Sequence, residues 1–161
     1  MSDRNLLCAR EILEKIYLSR YIFLSGLSGY DTEAQSAIGT FVVPTSEQLR
    51  YTAEQLGYVS ATERHSCVNQ LAYSLTALLV RDHAGQFACY DLESFRDLSS
   101  GFQMWNTKEH FEHKKVLPRD TEFEISMHVT RSRISPHGLS VVEVELNRGV
   151  DGYVHFAVQV D

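Results

Sequence analysis

Residues 60–82, SATERHSCVNQLAYSLTALLVRD, decide the fold of this chain of 161 residues. Ser60 and Glu63 match the S-x-x-E capping box, in which two side chains accept hydrogen bonds from each other's backbone N–H groups and a helix begins. From residue 65 to residue 80 there is no Asp, Glu, Lys or Arg. Apolar residues recur there at helical spacing: Val68, Leu71, Ala72, Leu75 and Leu79. We therefore predict a helix of about 22 residues, roughly 33 Å long, buried in the core.

Stretches rich in aromatic and β-branched residues flank this helix and predict strands. The strands are expected at residues 21–28 and 37–43 before the helix and, from residue 101 onward, most clearly at 123–129, 142–146 and 154–160. In the last three, apolar and polar residues alternate, so one face of the sheet is expected to contact solvent. Polar turns are predicted at 29–33, 135–138 and 147–152, and an amphipathic helix at about residues 4–18.

This order of elements predicts an α+β fold. A long buried helix with antiparallel strands before and after it suggests a sheet wrapped around a central helix, the arrangement called the hotdog fold. No linker, repeat or low-complexity segment divides the chain, so residues 1–161 are expected to form a single domain. Such a domain leaves an apolar sheet edge and one side of its helix uncovered, which predicts a homodimer.

Composition and charge argue against several other classes of protein. The formal net charge is -6 and no Lys/Arg stripe offsets it, so nucleic acid is not expected as a partner. Cys8, Cys67 and Cys89 have no C-x-x-C spacing, and His110 and His113 are expected on opposite strand faces or in a turn, so no disulfide or metal site is predicted. No segment suits a membrane span and the N-terminus has no export signal, which predicts a cytoplasmic protein.

Polar side chains form one stripe along the predicted helix. At 100° per residue the members fall within about 80° of one another: Thr62, Ser66, Asn69, Tyr73 and Thr76. A single polar group on a buried helix usually bonds to nearby backbone, whereas five aligned groups favour a channel for a polar ligand. His65 borders the stripe and is either a structural histidine or a group that takes a proton near Asn69.

The turn before the helix is a second candidate feature. Gly57-Tyr58-Val59-Ser60 leads into the helix N-terminus, where the N–H groups of Ser60 and Ala61 and the helix dipole would stabilise an oxyanion. Alternatively, it is an ordinary glycine turn and helix cap. Basic residues farther along the chain are interpreted as a solvated hairpin surface rather than a phosphate site: Lys114, Lys115, Arg119, Arg131 and Arg133.

The run Asn69-Gln70-Leu71-Ala72-Tyr73-Ser74 resembles the central helix of the FcoT-like fatty-acyl thioesterase family, which carries a closely similar N-Q-L-A-Y-S motif. The strand at 38–42 and a segment containing Tyr51 also resemble the family's upstream pattern. The resemblance implies a hotdog fold, sites at a dimer interface, and substrates carried as coenzyme A or carrier-protein thioesters. Where members carry a turn like G-H-F-N, this chain has Tyr58 and Ser60 in place of the water-positioning histidine and the asparagine. The glycine addition that some members perform is therefore not expected.

We accordingly expect an enzyme that hydrolyses acyl thioesters in fatty-acid or polyketide-type metabolism and needs no cofactor or metal of its own. In this hypothesis Asn69 orients water or the thioester carbonyl, Tyr58 and Tyr73 donate hydrogen bonds, and the backbone N–H groups near Ser60 and Ala61 hold the oxyanion. His65 is a further candidate for a catalytic residue. The residues expected to bind substrate are Tyr51, Gly57, Ser60, Ala61, Ser66 and Thr76.

Two alternatives stay open at this point. The first is dehydration of a 3-hydroxyacyl thioester, for which His65 is a possible base. The matching acid would have to be Tyr58, Tyr73 or a group from a second subunit. The second is an acyl-binding protein without catalytic activity.

Overall fold

The structure is a computed structural model that describes residues 2–45, 56–95, 104–136 and 139–159. Its helices and strands are, in chain order, α1 (Ser2–Ile16), β1 (Leu24–Asp31), β2 (Ser36–Phe41), α2 (Ala61–Arg81), β3 (Met104–Glu112), β4 (Phe123–Ile134), β5 (Leu139–Asn147) and β6 (Asp151–Gln159). Short 3-10 turns occur at Ser19–Tyr21 and Gly85–Cys89.

The six strands form one sheet in the order β1-β2-β4-β5-β6-β3, and every neighbouring pair is antiparallel. Helix α2 packs against β1, β2 and β4, on the side of the sheet where the apolar residues of β4 are buried. The chain passes through α2 between β2 and β3, so β3 becomes an edge strand beside β6. A long central helix held by an antiparallel sheet is the hotdog fold, as the sequence predicted.

The start of α2 follows the predicted capping box. Ser60 is the N-cap residue, and its backbone N–H donates to Glu63 Oε2 at 2.8 Å while the Glu63 N–H donates to Ser60 Oγ at 3.3 Å. These two bonds satisfy backbone donors that the first turn of a helix otherwise leaves unpaired. The helix ends at Arg81, where Asp82 caps it.

Alternation along β4 places its apolar residues against the core. Phe123, Ile125 and Met127 are buried, and the Phe123 ring stacks on Phe41 of β2 with centroids 5.8 Å apart. The polar residues between them face the other side of the sheet, as the period of two requires. No helix in the described ranges has the length and apolarity that crossing a bilayer demands.

The first strand differs from its predicted position. It was expected at 21–28, but Ser19–Tyr21 forms a 3-10 turn and β1 begins at Leu24. It runs on to Asp31, whose Oδ1 accepts hydrogen bonds from the backbone N–H groups of Glu33 and Ala34. The turn therefore lies after Asp31, where an aspartate side chain organises it, and not at 29–33.

Candidate functional site

The polar stripe of α2 is its least buried face over the first three turns. His65, Ser66, Asn69 and Tyr73 are all partly exposed, whereas every residue from 74 to 80 is buried. Helix α1 packs along this second half of α2, since Arg81 Nη1 donates to Asn5 Oδ1 at one end and Ile16 and Tyr17 share a cavity wall with Tyr73 at the other. Thr76 was expected to bind substrate, but it is 1% exposed in this buried region.

Two residues of α2 meet two residues of the edge strand β3. Asn106 Nδ2 donates to Asn69 Oδ1 at 3.0 Å and to Glu109 Oε2 at 3.0 Å. His65 Nδ1 lies 3.4 Å from Glu109 Oε1, and His65 Nε2 lies 3.4 Å from Asn106 Nδ2. With its proton on Nδ1, the His65 ring turns this N–H toward the Glu109 carboxylate, and its Nε2 lone pair faces the Asn106 amide. We call these four residues the polar cluster.

A β-bulge brings the two β3 members of the polar cluster onto one face. Residues three apart in a regular strand point to opposite faces. In β3, however, Asn106 and Lys108 pair with consecutive residues of β6, so Thr107 is an extra residue. Because of this extra residue, the side chains of Asn106 and Glu109 lie on the same face of the sheet.

The polar cluster adjoins a cavity of about 250 Å³ between α1, α2 and β3. Its walls are formed by Ile16, Tyr17, Asn69, Ala72, Tyr73, Met104, Trp105 and Asn106. Most of these side chains are apolar or aromatic, and of the two amides Asn106 contacts His65. An apolar cavity with a few convergent polar groups has the composition of a small-molecule site.

A larger groove of about 610 Å³ lies over β5 and β6. It is more open, and its side chains include Glu143, Glu145, Tyr153 and His155, on the face of the sheet away from α2. Open polar grooves of this kind bury little of a ligand. We therefore place the candidate site at the cavity beside Asn69.

Two tyrosines in the cavity wall stay protonated over the physiological pH range. Burial raises the pKa of Tyr73, and burial together with the nearby Tyr73 raises the pKa of Tyr17. The Tyr73 hydroxyl donates to the Met104 carbonyl at 3.1 Å, which ties α2 to β3. In this arrangement Tyr73 shapes the cavity and its proton is already engaged.

The predicted residues before α2 lie elsewhere. Tyr58 is 45% exposed, forms an isolated bridge with Pro118, and is not among the described residues that line the cavity. Gly57 and Ala61 are exposed, and neither they nor Ser66 line the cavity. His65 does not line it either, but it contacts Asn106, which does. Tyr51 lies outside the described residues.

The oxyanion role expected for Ser60 meets a competing contact. Its backbone N–H donates to the Glu63 carboxylate at 2.8 Å, and so does its hydroxyl, at 2.9 Å. A substrate oxygen would have to displace this carboxylate. The Asn69 side-chain amide is placed better, because its Nδ2 donates no hydrogen bond to any described residue and Asn69 lines the cavity.

Glu63 also holds a residue that the sequence had placed on the surface. Arg119 Nη2 lies 2.6 Å from Glu63 Oε1, and the side chains are 5% and 1% exposed. The same guanidinium donates to the carbonyls of Leu56 and Pro44, at 2.8 and 3.0 Å. The interpretation of Arg119 as part of a solvated hairpin surface was therefore wrong, since it clamps the chain around the start of α2.

The motif that suggested a family has both structural and exposed members. Gln70 is fully buried, and its Oε1 accepts from the N–H groups of Phe23 and Leu24 while its Nε2 donates to the Tyr21 carbonyl. Ser74 Oγ donates to the Gln70 carbonyl at 2.7 Å. Only Asn69 and Tyr73 of the polar residues in this run reach the cavity.

Comparison with solved structures supports the fold. A sigma28-regulated virulence protein from Campylobacter jejuni is similar over 96% of both chains, with a TM-score of 0.55 and 12% identity. A thioesterase superfamily protein from Shewanella loihica aligns at a TM-score of 0.49 and 12% identity, over 90% of this chain and 96% of that one. A putative thioesterase from Ralstonia eutropha, described as related to phenylacetic acid degradation, aligns at 0.49 and 12%, over 82% and 83%.

At 12% identity, the similarity to the Campylobacter jejuni protein is one of fold alone. No protein-family model matches the sequence, and no curated protein matches it as a relative. The resemblance to the FcoT-like family therefore rests on the sequence pattern described above, chiefly on the helix motif.

Proposed function

We propose that this protein hydrolyses acyl thioesters at the cavity beside Asn69. The observation that carries the proposal is the contact of the polar cluster with a mostly apolar cavity. Asn69 and Asn106 line this cavity, Asn69 keeps its amide N–H groups available, and behind them His65 contacts Asn106 and lies 3.4 Å from the Glu109 carboxylate. The resemblance of the N-Q-L-A-Y-S run to fatty-acyl thioesterases points to the same class of substrate. The acyl group would arrive on coenzyme A or on the phosphopantetheine of a carrier protein.

The proposed reaction follows from the positions of these groups. A water molecule would first have to replace the Asn106 amide at His65 Nε2, a contact of 3.4 Å. His65 Nε2 then takes a proton from this water as the water oxygen attacks the thioester carbonyl carbon. The oxygen of the tetrahedral intermediate accepts a hydrogen bond from Asn69 Nδ2. When the C–S bond breaks, the protonated His65 gives its proton to the leaving thiolate. Glu109 orients the ring through Nδ1 and stabilises the imidazolium formed in between.

The direct test measures thiol release from octanoyl-coenzyme A. Asn69→Ala removes the oxyanion donor and is expected to lower kcat about 100-fold, because one such donor contributes roughly that much. His65→Gln removes the base and is expected to cost about 100-fold as well. Circular dichroism checks that each variant is folded. Wild-type turnover in folded Asn69→Ala protein would overturn this assignment.

Two controls sharpen the assay. Asn147→Ala makes the same chemical change on an exposed strand residue away from the cavity, and it is expected to leave turnover unchanged. Cys89 is an exposed free cysteine that itself reacts with thiol reagents, so all variants are made in a Cys89→Ser background.

Dehydration of 3-hydroxyacyl thioesters is a second candidate function, and one observation favours it. The sequence offered His65 no carboxylate partner, yet Glu109 lies 3.4 Å from it. A histidine and a carboxylate can remove the α-proton and protonate the leaving hydroxyl. Mass spectrometry separates the reactions: hydrolysis of 3-hydroxyoctanoyl-coenzyme A gives a free acid and a thiol, whereas dehydration gives an intact thioester lighter by one water.

A further inference from the structure

We infer that α1 sets the length of the acyl chain that the cavity accepts, with Tyr17 as the residue that limits it. This inference rests on the proposed function, since it takes the ligand to be an acyl chain. It goes further by naming the chain length and the residue that determines it.

The first argument concerns the direction of the cavity along α2. His65 lies one turn before Asn69, and the polar cluster is at this end. Ala72 and Tyr73 lie about one turn after Asn69, and here the wall is completed by Ile16 and Tyr17 of the N-terminal region. A thioester held at Asn69 would thus extend its acyl chain toward α1.

The second argument concerns what fixes the far wall. Ile12 and Leu13 of α1 are completely buried, so α1 is anchored in the core. The Tyr17 N–H continues the helical bonding by donating to the Leu13 carbonyl at 2.8 Å. The position of Tyr17 is therefore fixed by α1, and its hydroxyl makes no hydrogen bond with a described residue that would be lost if the ring were removed.

The third argument concerns volume. A methylene group occupies about as much space as a water molecule, roughly 30 Å³. A cavity of about 250 Å³ that is partly open to solvent consequently has room for at most about eight carbons of an acyl chain. Longer chains would meet the Tyr17 ring.

The chain supplies its own reporter for a test that does not depend on catalysis. Trp105 is the single tryptophan of the sequence and lines the cavity, so its fluorescence should respond when the cavity fills. The probes are the saturated fatty acids from butanoic to tetradecanoic acid, titrated one by one. Affinity is expected to rise about fourfold per methylene group up to octanoic acid and then to stop rising.

Three variants test the role of the ring. Tyr17→Ala is expected to move the plateau to chains about two to four carbons longer, because the lost ring occupies the space of a few methylene groups. Tyr17→Phe keeps the ring and should retain the wild-type plateau. Leu18→Ala changes an exposed neighbour that does not line the cavity and should also retain it. If Tyr17→Ala does not fold, Ile16→Ala tests the same wall.

The results separate this inference from the proposed function. A plateau that moves with Tyr17→Ala supports the inference even if no thioester is hydrolysed. An unchanged plateau in folded Tyr17→Ala and Ile16→Ala proteins overturns it, and so does a flat Trp105 signal in an enzyme that hydrolyses octanoyl-coenzyme A.

Discussion

The pair formed by Glu63 and Arg119 is the most deeply buried ionic contact among the described residues. Removing two charges from water is costly, so such a pair adds little net stability compared with apolar residues. Removing only one partner of the pair is strongly destabilising, because the other charge stays buried without compensation. Here that charge would also lie at the start of the central helix, where Glu63 closes the capping box.

We predict that Arg119→Met lowers the free energy of unfolding by about 3 kcal/mol or more, measured from denaturant unfolding curves. Arg148→Met is the matched control. Arg148 and Glu124 are also 2.6 Å apart, but both side chains are about half exposed, so the loss should be under about 1 kcal/mol. Adding Glu63→Gln to Arg119→Met should recover part of the loss. Equal unfolding midpoints for the two single variants would contradict the buried-charge argument.

At the scale of single residues, the sequence located half of the polar cluster. Asn69 and His65 could be placed on one helix face because a helix has a regular period. Asn106 and Glu109 could not be placed together, since the period of a strand assigns them to opposite faces. The sequence around Thr107 has no feature that predicts the bulge. Arg119 was missed because its burial depends on a carboxylate far away in sequence.

Helix α2 is fixed to the beginning of β1 by one side chain. Gln70 Oε1 accepts two backbone hydrogen bonds, from Phe23 at 2.9 Å and from Leu24 at 3.2 Å, and Gln70 is fully buried. The backbone hydrogen bonds of a sheet do not extend to a helix. The buried side-chain amide of Gln70 therefore links α2 to the backbone at the start of β1. It satisfies backbone donors that would otherwise be buried without a partner.

We predict that Gln70→Leu destabilises the protein by about 3 kcal/mol, because it leaves two buried N–H groups and one carbonyl unpaired. Amide hydrogen exchange at Phe23 and Leu24 should accelerate more than exchange in β5. Ser74→Ala is the comparison, since it removes only a bond to the preceding turn of the same helix and should cost less than about 1 kcal/mol. Unchanged exchange at both amides would show that α2 is held to β1 in another way.

At the scale of elements, the helices and strands with a regular sequence pattern were predicted well, and the irregular segments were not. The capping box and the uncharged run placed α2 at its observed bounds, and alternation located β4 to β6. The position of β1 was wrong by three residues at its start, because a 3-10 turn shows no period of its own. The burial of Thr76 was also missed, since the packing of α1 against α2 is a long-range contact that amphipathicity does not locate.

The whole molecule presents β3 as an edge strand. β3 pairs with β6 on one side only, and no described strand lies on its other side. It is nine residues long, and Trp105 on it is 41% exposed. A long edge strand with an exposed aromatic residue is a template for pairing with another chain. Because Trp105 and Asn106 also line the cavity, a second copy paired there would lie next to the proposed site.

We therefore predict a homodimer in which β3 pairs with β3 of the partner. Light scattering at micromolar concentration should give about twice the chain mass of 18.3 kDa. On dilution, dissociation should expose Trp105 to water, shift its fluorescence to longer wavelength, and reduce thioester hydrolysis over the same concentration range. The three changes should coincide because the edge strand supplies the interface, the reporter and part of the cavity. A stable monomer with full activity would contradict both the interface and its link to the site.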